Sequence, residues 1–323
     1  MLHESIMSNY KPILVTGSHR SGSTWVGKML ASHPSIGYIQ EPFNVKHYPS
    51  KAGRCRARFK QWYTYVKPEN EVSLKGEILD TLNFSYNPKA ALSNLIRPKI
   101  DCNRAKESAK IIRDFFSFEI YKLKKVRPLM KDPIALFSAE WLSQEFNMDM
   151  IVLIRHPAAF AGSLKVANWS FPFSHFLNQT HLMEDYLFPF REEIEQQVKS
   201  ESLDIISQAS LLWKIIHSVI LSYQRKYSDW IFIRYEDLAL NPTSGFGNLF
   251  ERINLDYPNS VKQYIEKYNT SSQSLANHNR AARKMNSSAN INSWKQRLTE
   301  KELDQVRKDV EEVAKHFYSN EDW

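Results

Sequence analysis

The chain has 323 residues, enough for one large α/β domain or two small ones, and enough to bury a core without disulfide or metal staples. Hydrophobic residues make up 42% and charged residues 24%, which excludes a disordered or collagen-like chain. The formal net charge of +8 suits an anionic ligand or a solvated basic surface, and charge alone does not separate the two. Met1 to Lys11 lacks the apolar run of a signal peptide, and no stretch approaches the ~20 apolar residues of a membrane helix. With only Cys55 and Cys102, the expectation is a reducing cytoplasm, the pairing of the two cysteines being left open.

The elements alternate from the start. Lys11 to Thr16 is a short apolar, β-branched run that reads as a buried parallel strand. Gly17 to Gly22 is a polar turn. Trp25, Val26, Met29 and Leu30 then recur at helical spacing over Ser23–His33. Residues 44–125 show no strong strand and read as a helical insertion, with helices over Arg54–Val66 and Ala105–Leu123. Val126 to Met130 reads as a strand that Pro128 weakens or confines to an edge. Ile134–Phe146 is helical. Asp149 to Ile154 is the clearest buried strand, and Ala158–Ala167 continues as a helix with Pro157 in its first turn. Residues 169–199 carry many aromatics without a period and read as a lid-like loop. Leu203–Tyr227 is a long amphipathic helix, Trp230 to Tyr235 a further strand, and Thr299–Phe317 a last helix. Strands alternating with helices predict a single α/β domain over 1–323, with a central parallel sheet and helices on both faces in three layers.

The segment Gly17-Ser18-His19-Arg20-Ser21-Gly22-Ser23-Thr24 has the spacing G-x-x-x-x-G-x-T. That is a P-loop whose lysine position holds Ser23. Glycines let backbone N–H groups converge on an anion, and the helix that follows adds its positive end. The missing lysine, which bridges the outer phosphates of a nucleoside triphosphate, disfavours ATP or GTP hydrolysis, and Arg20 supplies a cation in its place.

His19 to Trp25 resembles the 5′-phosphosulfate loop of sulfotransferases that use 3′-phosphoadenosine 5′-phosphosulfate (PAPS). Leu30-Ala31-Ser32-His33-Pro34 and Gln40-Glu41-Pro42-Phe43 are similar to the carbohydrate and tyrosylprotein branches of that family. Met130-Lys131-Asp132-Pro133 resembles the lysine block of the tyrosylprotein branch. Leu153-Ile154-Arg155-His156-Pro157 through Ser163 resembles the 3′-phosphate site, and Arg234-Tyr235-Glu236-Asp237-Leu238 the family's RYEDL. These blocks span residues 13 to 238 in the family's order and are specific as a set. The Arg-Lys-Gly motif of the cytosolic branch is absent, and Arg283-Lys284-Met285 stands near its place at a longer spacing from Trp294.

The resemblance implies a P-loop-like fold and transfer of a sulfuryl group from PAPS to an acceptor hydroxyl, leaving 3′-phosphoadenosine 5′-phosphate (PAP). It implies donor binding by His19, Arg20, Ser21, Gly22, Ser23, Thr24 and Trp25, with Arg155 and Ser163 at the 3′-phosphate and Tyr235 stacking with Trp25 on adenine. Arginine suits forked phosphate contacts, and serine adds a hydroxyl donor. Transfer needs a base for the acceptor proton and cations for the leaving phosphate. Glu41 is the candidate base, with partial burial expected to raise its pKa above the ordinary ~4.3; His19 is the second choice. Lys131 and Arg20 are the candidate cations. Glu236 and Asp237 read as braces for the following helix. Ten histidines without HxH or HExxH spacing and two isolated cysteines predict no metal site.

Two other readings compete. A P-loop kinase or NTPase expects an acidic strand end for Mg²⁺, whereas these strands end in Lys131, Arg155 and Tyr235. A nucleic-acid-binding protein expects a basic stripe or a known module, and neither is present. No nucleic-acid partner is therefore expected. The acceptor is a sugar hydroxyl by the first motif block, with a lipid, small molecule or protein tyrosine as alternatives. Oligomeric state is not legible.

Overall fold

The protein is described by a computed structural model that covers residues 11–46, 48–67, 72–96, 103–200, 204–274 and 290–323. In chain order β1 (Ile13–Gly17) is followed by α1 (Ser23–Leu30), β2 (Ile36–Gln40), α2 (Pro49–Arg54), α3 (Val72–Leu82), α4 (Pro88–Ile96) and α5 (Arg104–Leu123). Then come β3 (Arg127–Lys131), α6 (Ala139–Phe146), β4 (Asp149–Ile154), α7 (Pro157–Ala167), α8 (Arg191–Lys199) and α9 (Ile205–Lys226). The last are β5 (Ile231–Arg234), α10 (Tyr235–Leu240), α11 (Pro242–Arg252), α12 (Asn259–Ser274) and α13 (Glu300–Ala314). The backbone groups into two compact units. One comprises residues 1–16 and 31–150, the other 17–30 and 151–323. The fold is P-loop-like α/β: parallel strands accompanied by helices in each unit.

In the first unit β3 pairs in parallel with both β2 and β1, Arg127 opposite Ile36 and Leu129 opposite Ile13. Ile13, Leu14, Val15, Leu129 and Met130 are fully buried, as the apolar runs require of strands covered on both faces. The expectation for Pro128 fails: its strand lies between two others. In a parallel ladder the missing Pro128 N–H would have met the Lys11 carbonyl. That oxygen instead accepts from Nε of Arg127, whose guanidinium also pairs with Asp149. β2 was not anticipated. The expected helix over Arg54–Val66 is also replaced. Helix α2 ends at Arg54, and Cys55, Ala57 and Phe59 are buried while Arg56, Arg58 and Lys60 are exposed, a period of two that no helix satisfies. Cys55 is a buried free thiol, and Cys102 lies outside the described residues.

In the second unit β4 and β5 are parallel, Ile151 opposite Ile231 and Ile154 opposite Arg234. Helix α9 packs against α7 and α13. It is long and apolar enough by composition to cross a membrane, against the expectation of no such stretch. Leu212, Trp213, Ile215, Ile216 and Ile220 on it are nevertheless fully buried, the signature of a core helix. Residues 169–199, expected to be a lid-like loop, are mostly folded. Short turns at Ser174–Leu177 and Thr180–Leu182 lead into a π-turn (Met183–Leu187), a 3₁₀ turn (Phe188–Phe190) and α8. Phe171, Phe173 and Phe176 pack against one another as a buried cluster, which organises the segment despite its irregular pattern.

Candidate functional site

Strand β1 delivers the Gly17–Thr24 loop, and the second unit holds it. A Cβ on Gly17, at φ +138°, would lie 2.4 Å from the Leu153 carbonyl oxygen; one on Gly22, at φ +94°, would lie 2.4 Å from the Tyr235 ring. Both positions exclude a side chain by conformation and by space. Between them Arg20 sits at φ +65°, left-handed backbone that a non-glycine residue adopts at a cost of roughly 1 kcal/mol. That backbone turn carries the Arg20 side chain to Ser163 of α7, where Nε donates to Oγ at 2.6 Å. The hydroxyls of Ser18 and Ser21 are buried without a hydrogen-bond partner. Ser23 is buried in the first turn of α1 and Thr24 is exposed.

His19 is buried, edge-on to Phe160 and Trp169. Burial, reinforced by the Arg20 charge, pushes its pKa down to about 3, so it is neutral at working pH and gives no cationic anion contact. Trp25 and Tyr235, the rings expected to stack on adenine, are packed together. Trp25 is buried edge-on against Tyr235 and Phe246, and the Tyr235 ring has the Arg155 guanidinium over it at 3.8 Å. These rings position the loop and the arginine.

Arg155 directly follows β4 and is itself buried. Its Nη2 donates to the Asn290 carbonyl at 2.9 Å, and its Nε lies 3.4 Å from Glu236. Glu236 also accepts from the His156 amide at 3.1 Å and from the Tyr318 hydroxyl at 3.0 Å. The carboxylate foreseen as a helix brace therefore fixes the end of β4.

A third cation, Arg297, was not found from the sequence. Its Cβ lies 3.3 Å from where a Cβ on Gly162 would stand, next to Ser163. Burial and the neighbouring Arg297 and Arg155 charges pull the Arg20 pKa down; burial and Arg155 do the same to Arg297. Arg20 and Arg297 each feel the Arg155 charge, so three guanidiniums concentrate positive charge in this part of the second unit. The only local sign of Arg297 is a basic residue just ahead of the T-x-x-E cap of α13. Arg283-Lys284-Met285 lies outside the described residues.

Glu41 and Lys131 meet in the first unit. Gln40 and Val15 lie opposite Lys131 in the ladder, so Glu41 emerges beside it, its amide donating to the Lys131 carbonyl at 2.9 Å. Fully buried Lys131 pairs through Nζ with Glu41 Oε1, and Asn44 Nδ2 donates to Oε2 at 3.0 Å. Glu41 is left-handed at φ +46°. Burial alone would raise its pKa, as the sequence suggested. The charge and hydrogen bond of Lys131, with Asn44, outweigh burial and hold it below the ordinary value.

Asp132, also unforeseen, is fully buried and accepts from the amides of Phe43 at 2.6 Å and Ile134 at 3.1 Å. It ties down the turn that carries Glu41. Burial and the Glu41 charge raise it to about 7. Buried Lys51 donates to the Asn44 carbonyl, and burial lowers it to about 8. Among the described residues no group of His, Cys, Asp and Glu could hold a metal ion.

A family profile described as "Sulfotransferase family" matches residues 12–259. Curated proteins give no match. Solved structures give distant ones. The sulfotransferase domain of the Synechococcus PCC 7002 olefin synthase is 16% identical, covering 97% of each chain at a TM-score of 0.44. Mouse sulfotransferase SULT7A1 in complex with PAP is 11% identical over 99% of this chain and 92% of its own, TM-score 0.46. Sulfotransferase STF9 of Mycobacterium avium is 12% identical over 95% and 77%, TM-score 0.45.

Proposed function

This chain belongs to the sulfotransferase family, and for it we propose PAPS as the donor and a sugar hydroxyl as the acceptor. The observation that carries the donor reading is the cluster of Arg20, Arg155 and Arg297 around Ser163 in the second unit. PAPS carries about four negative charges, given a second phosphate pKa near 6. Its 5′-phosphosulfate suits the Gly17–Thr24 loop, where unpartnered Ser18 and Ser21 hydroxyls and the Gly22 turn fit an anion rich in acceptor oxygens. Its 3′-phosphate suits Arg155, Ser163 and Arg297.

In this reading Glu41 takes the proton of the acceptor hydroxyl as that oxygen bonds to sulfur. The bond from sulfur to the phosphate oxygen breaks in line, and PAP leaves with the electron pair. Lys131 and Arg20 offset the charge that develops. A Glu41 with a lowered pKa is ionised at neutral pH and so is in the form that accepts a proton. The sugar preference rests on the resemblance of Leu30–Pro34 and Gln40–Phe43 to the carbohydrate branch.

Calorimetry with PAP and adenosine 5′-monophosphate tests the donor site. Arg155→Ala and Arg297→Ala should each weaken PAP about 10- to 100-fold, the range for one charge-assisted hydrogen bond, and leave the monophosphate nearly unchanged. Equal losses for both nucleotides would remove these arginines from the 3′-phosphate. Turnover of a sugar panel with labelled donor, compared with tyrosyl peptides and lipid alcohols, tests the acceptor.

A further inference from the structure

Helix α5 is apolar on two opposite sides. Ile111 and Phe118 point inward and are buried, as a helix packed on β2 requires. On the other side Ile112, Phe116, Ile120 and Leu123 recur at intervals of four, four and three residues. They are 58%, 59%, 47% and 81% exposed. That spacing places all four on one outward stripe. Helix α4, packed against α5, adds exposed Leu92 and Ile96, also four residues apart. Isolated exposed apolar residues are ordinary; an aligned stripe along a whole helix marks an interaction surface.

The charges beside the stripe name the occupant. Exposed Arg104 and Lys106 stand at one end of α5, and exposed Lys122, Lys124 and Lys125 at the other, none with an ion pair among the described residues. Lys110 and Arg113 are paired to Glu107 and Asp114. We propose that α5 docks this enzyme on an anionic lipid bilayer, its stripe among the acyl chains and its terminal lysines and arginine at the headgroups. An amphipathic helix with an apolar face and cationic flanks lies in this way at the interfacial plane. Antiparallel pairing of two copies through the stripe would set Arg104 and Lys106 against Lys122, Lys124 and Lys125, like charge on like charge. The proposal is independent of the donor and acceptor assignments.

The test is co-sedimentation of the full chain with vesicles of phosphatidylcholine alone and of phosphatidylcholine with phosphatidylglycerol. Binding should appear with the anionic vesicles and fall at least ~10-fold in Phe116→Glu and in Lys122→Glu/Lys124→Glu/Lys125→Glu. Both variants alter exposed residues, and unchanged circular dichroism and thermal unfolding would establish that they are folded. No binding of the wild-type chain, or binding that Phe116→Glu leaves intact, overturns the proposal. A dimer seen by light scattering that Phe116→Glu dissociates, without lipid binding, makes the stripe a self-interface and also overturns it. Capture of an acidic protein through the stripe, in the absence of vesicle binding, does the same.

Discussion

Glu41 shows how one neighbour reverses the effect of burial. Without Lys131, burial would push its carboxyl up; with Lys131 the pair keeps it ionised below the ordinary ~4.3. A depressed folded-state pKa means the pair's stability is present above the unfolded value and is lost as pH falls through the folded one. The acid limb of kcat/KM should accordingly lie below about pH 4.3, and Lys131→Met should move it upward while lowering kcat. A limb that stays put, measured where the variant remains folded, would separate Lys131 from Glu41. Glu41→Gln should reduce kcat about 100-fold or more with PAP affinity retained, the loss expected of a general base. At Gly22 the controlling quantity is space. Gly22→Ala puts a methyl 2.4 Å from the Tyr235 ring at a left-handed φ, so a stability loss of about 1–3 kcal/mol is expected. Because Tyr235 lies under Arg155, PAP binding should weaken along with the melting temperature.

At the scale of elements, α7 and α13 hold the arginine cluster. Helix α7 opens on Pro157 and closes on Asn168 in the left-handed conformation, and between them it presents Gly162 and Ser163. Helix α13 begins with a reciprocal capping box: the Thr299 hydroxyl accepts from the Glu302 amide, and Glu302 accepts from the Thr299 amide at 2.7 Å. Lys165 of α7 bonds to the same Glu302 at 2.7 Å, joining the two helices five residues after Arg297. Thr299→Ala should cost about 1 kcal/mol by thermal or urea unfolding. It should also raise the KM for the donor more than it lowers kcat, since it loosens the segment carrying Arg297 rather than touching the reacting atoms. A stability loss with unchanged KM would confine the cap to folding. The sequence reading placed a helix from Thr299 but did not identify its cap, and the link to α7 has no local signal because it joins positions 137 residues apart.

For the whole molecule, a net charge of +8 gains meaning once three arginines converge on one place. PAP affinity should fall as ionic strength rises, and Arg155→Ala should flatten that slope, read by titration across a salt series. An unchanged slope would argue that Arg155 has no charge contact with the ligand. The sequence by itself determined the parallel α/β alternation, the β1–loop–α1 order and the family, because apolar runs, glycines with forced backbone angles and capping residues act over a few neighbours. Helix α5 was legible for the same reason, within one residue at its start. Tertiary structure alone decided the rest. Pro128 entered an inner strand because the Arg127 side chain serves the Lys11 carbonyl in its place. Residues 169–199 folded because three phenylalanines found one another. Lys131 overruled the burial of Glu41, and Arg297 joined Arg20 and Arg155. Each of these depends on distances between residues far apart in the chain, and local spacing carries no record of them.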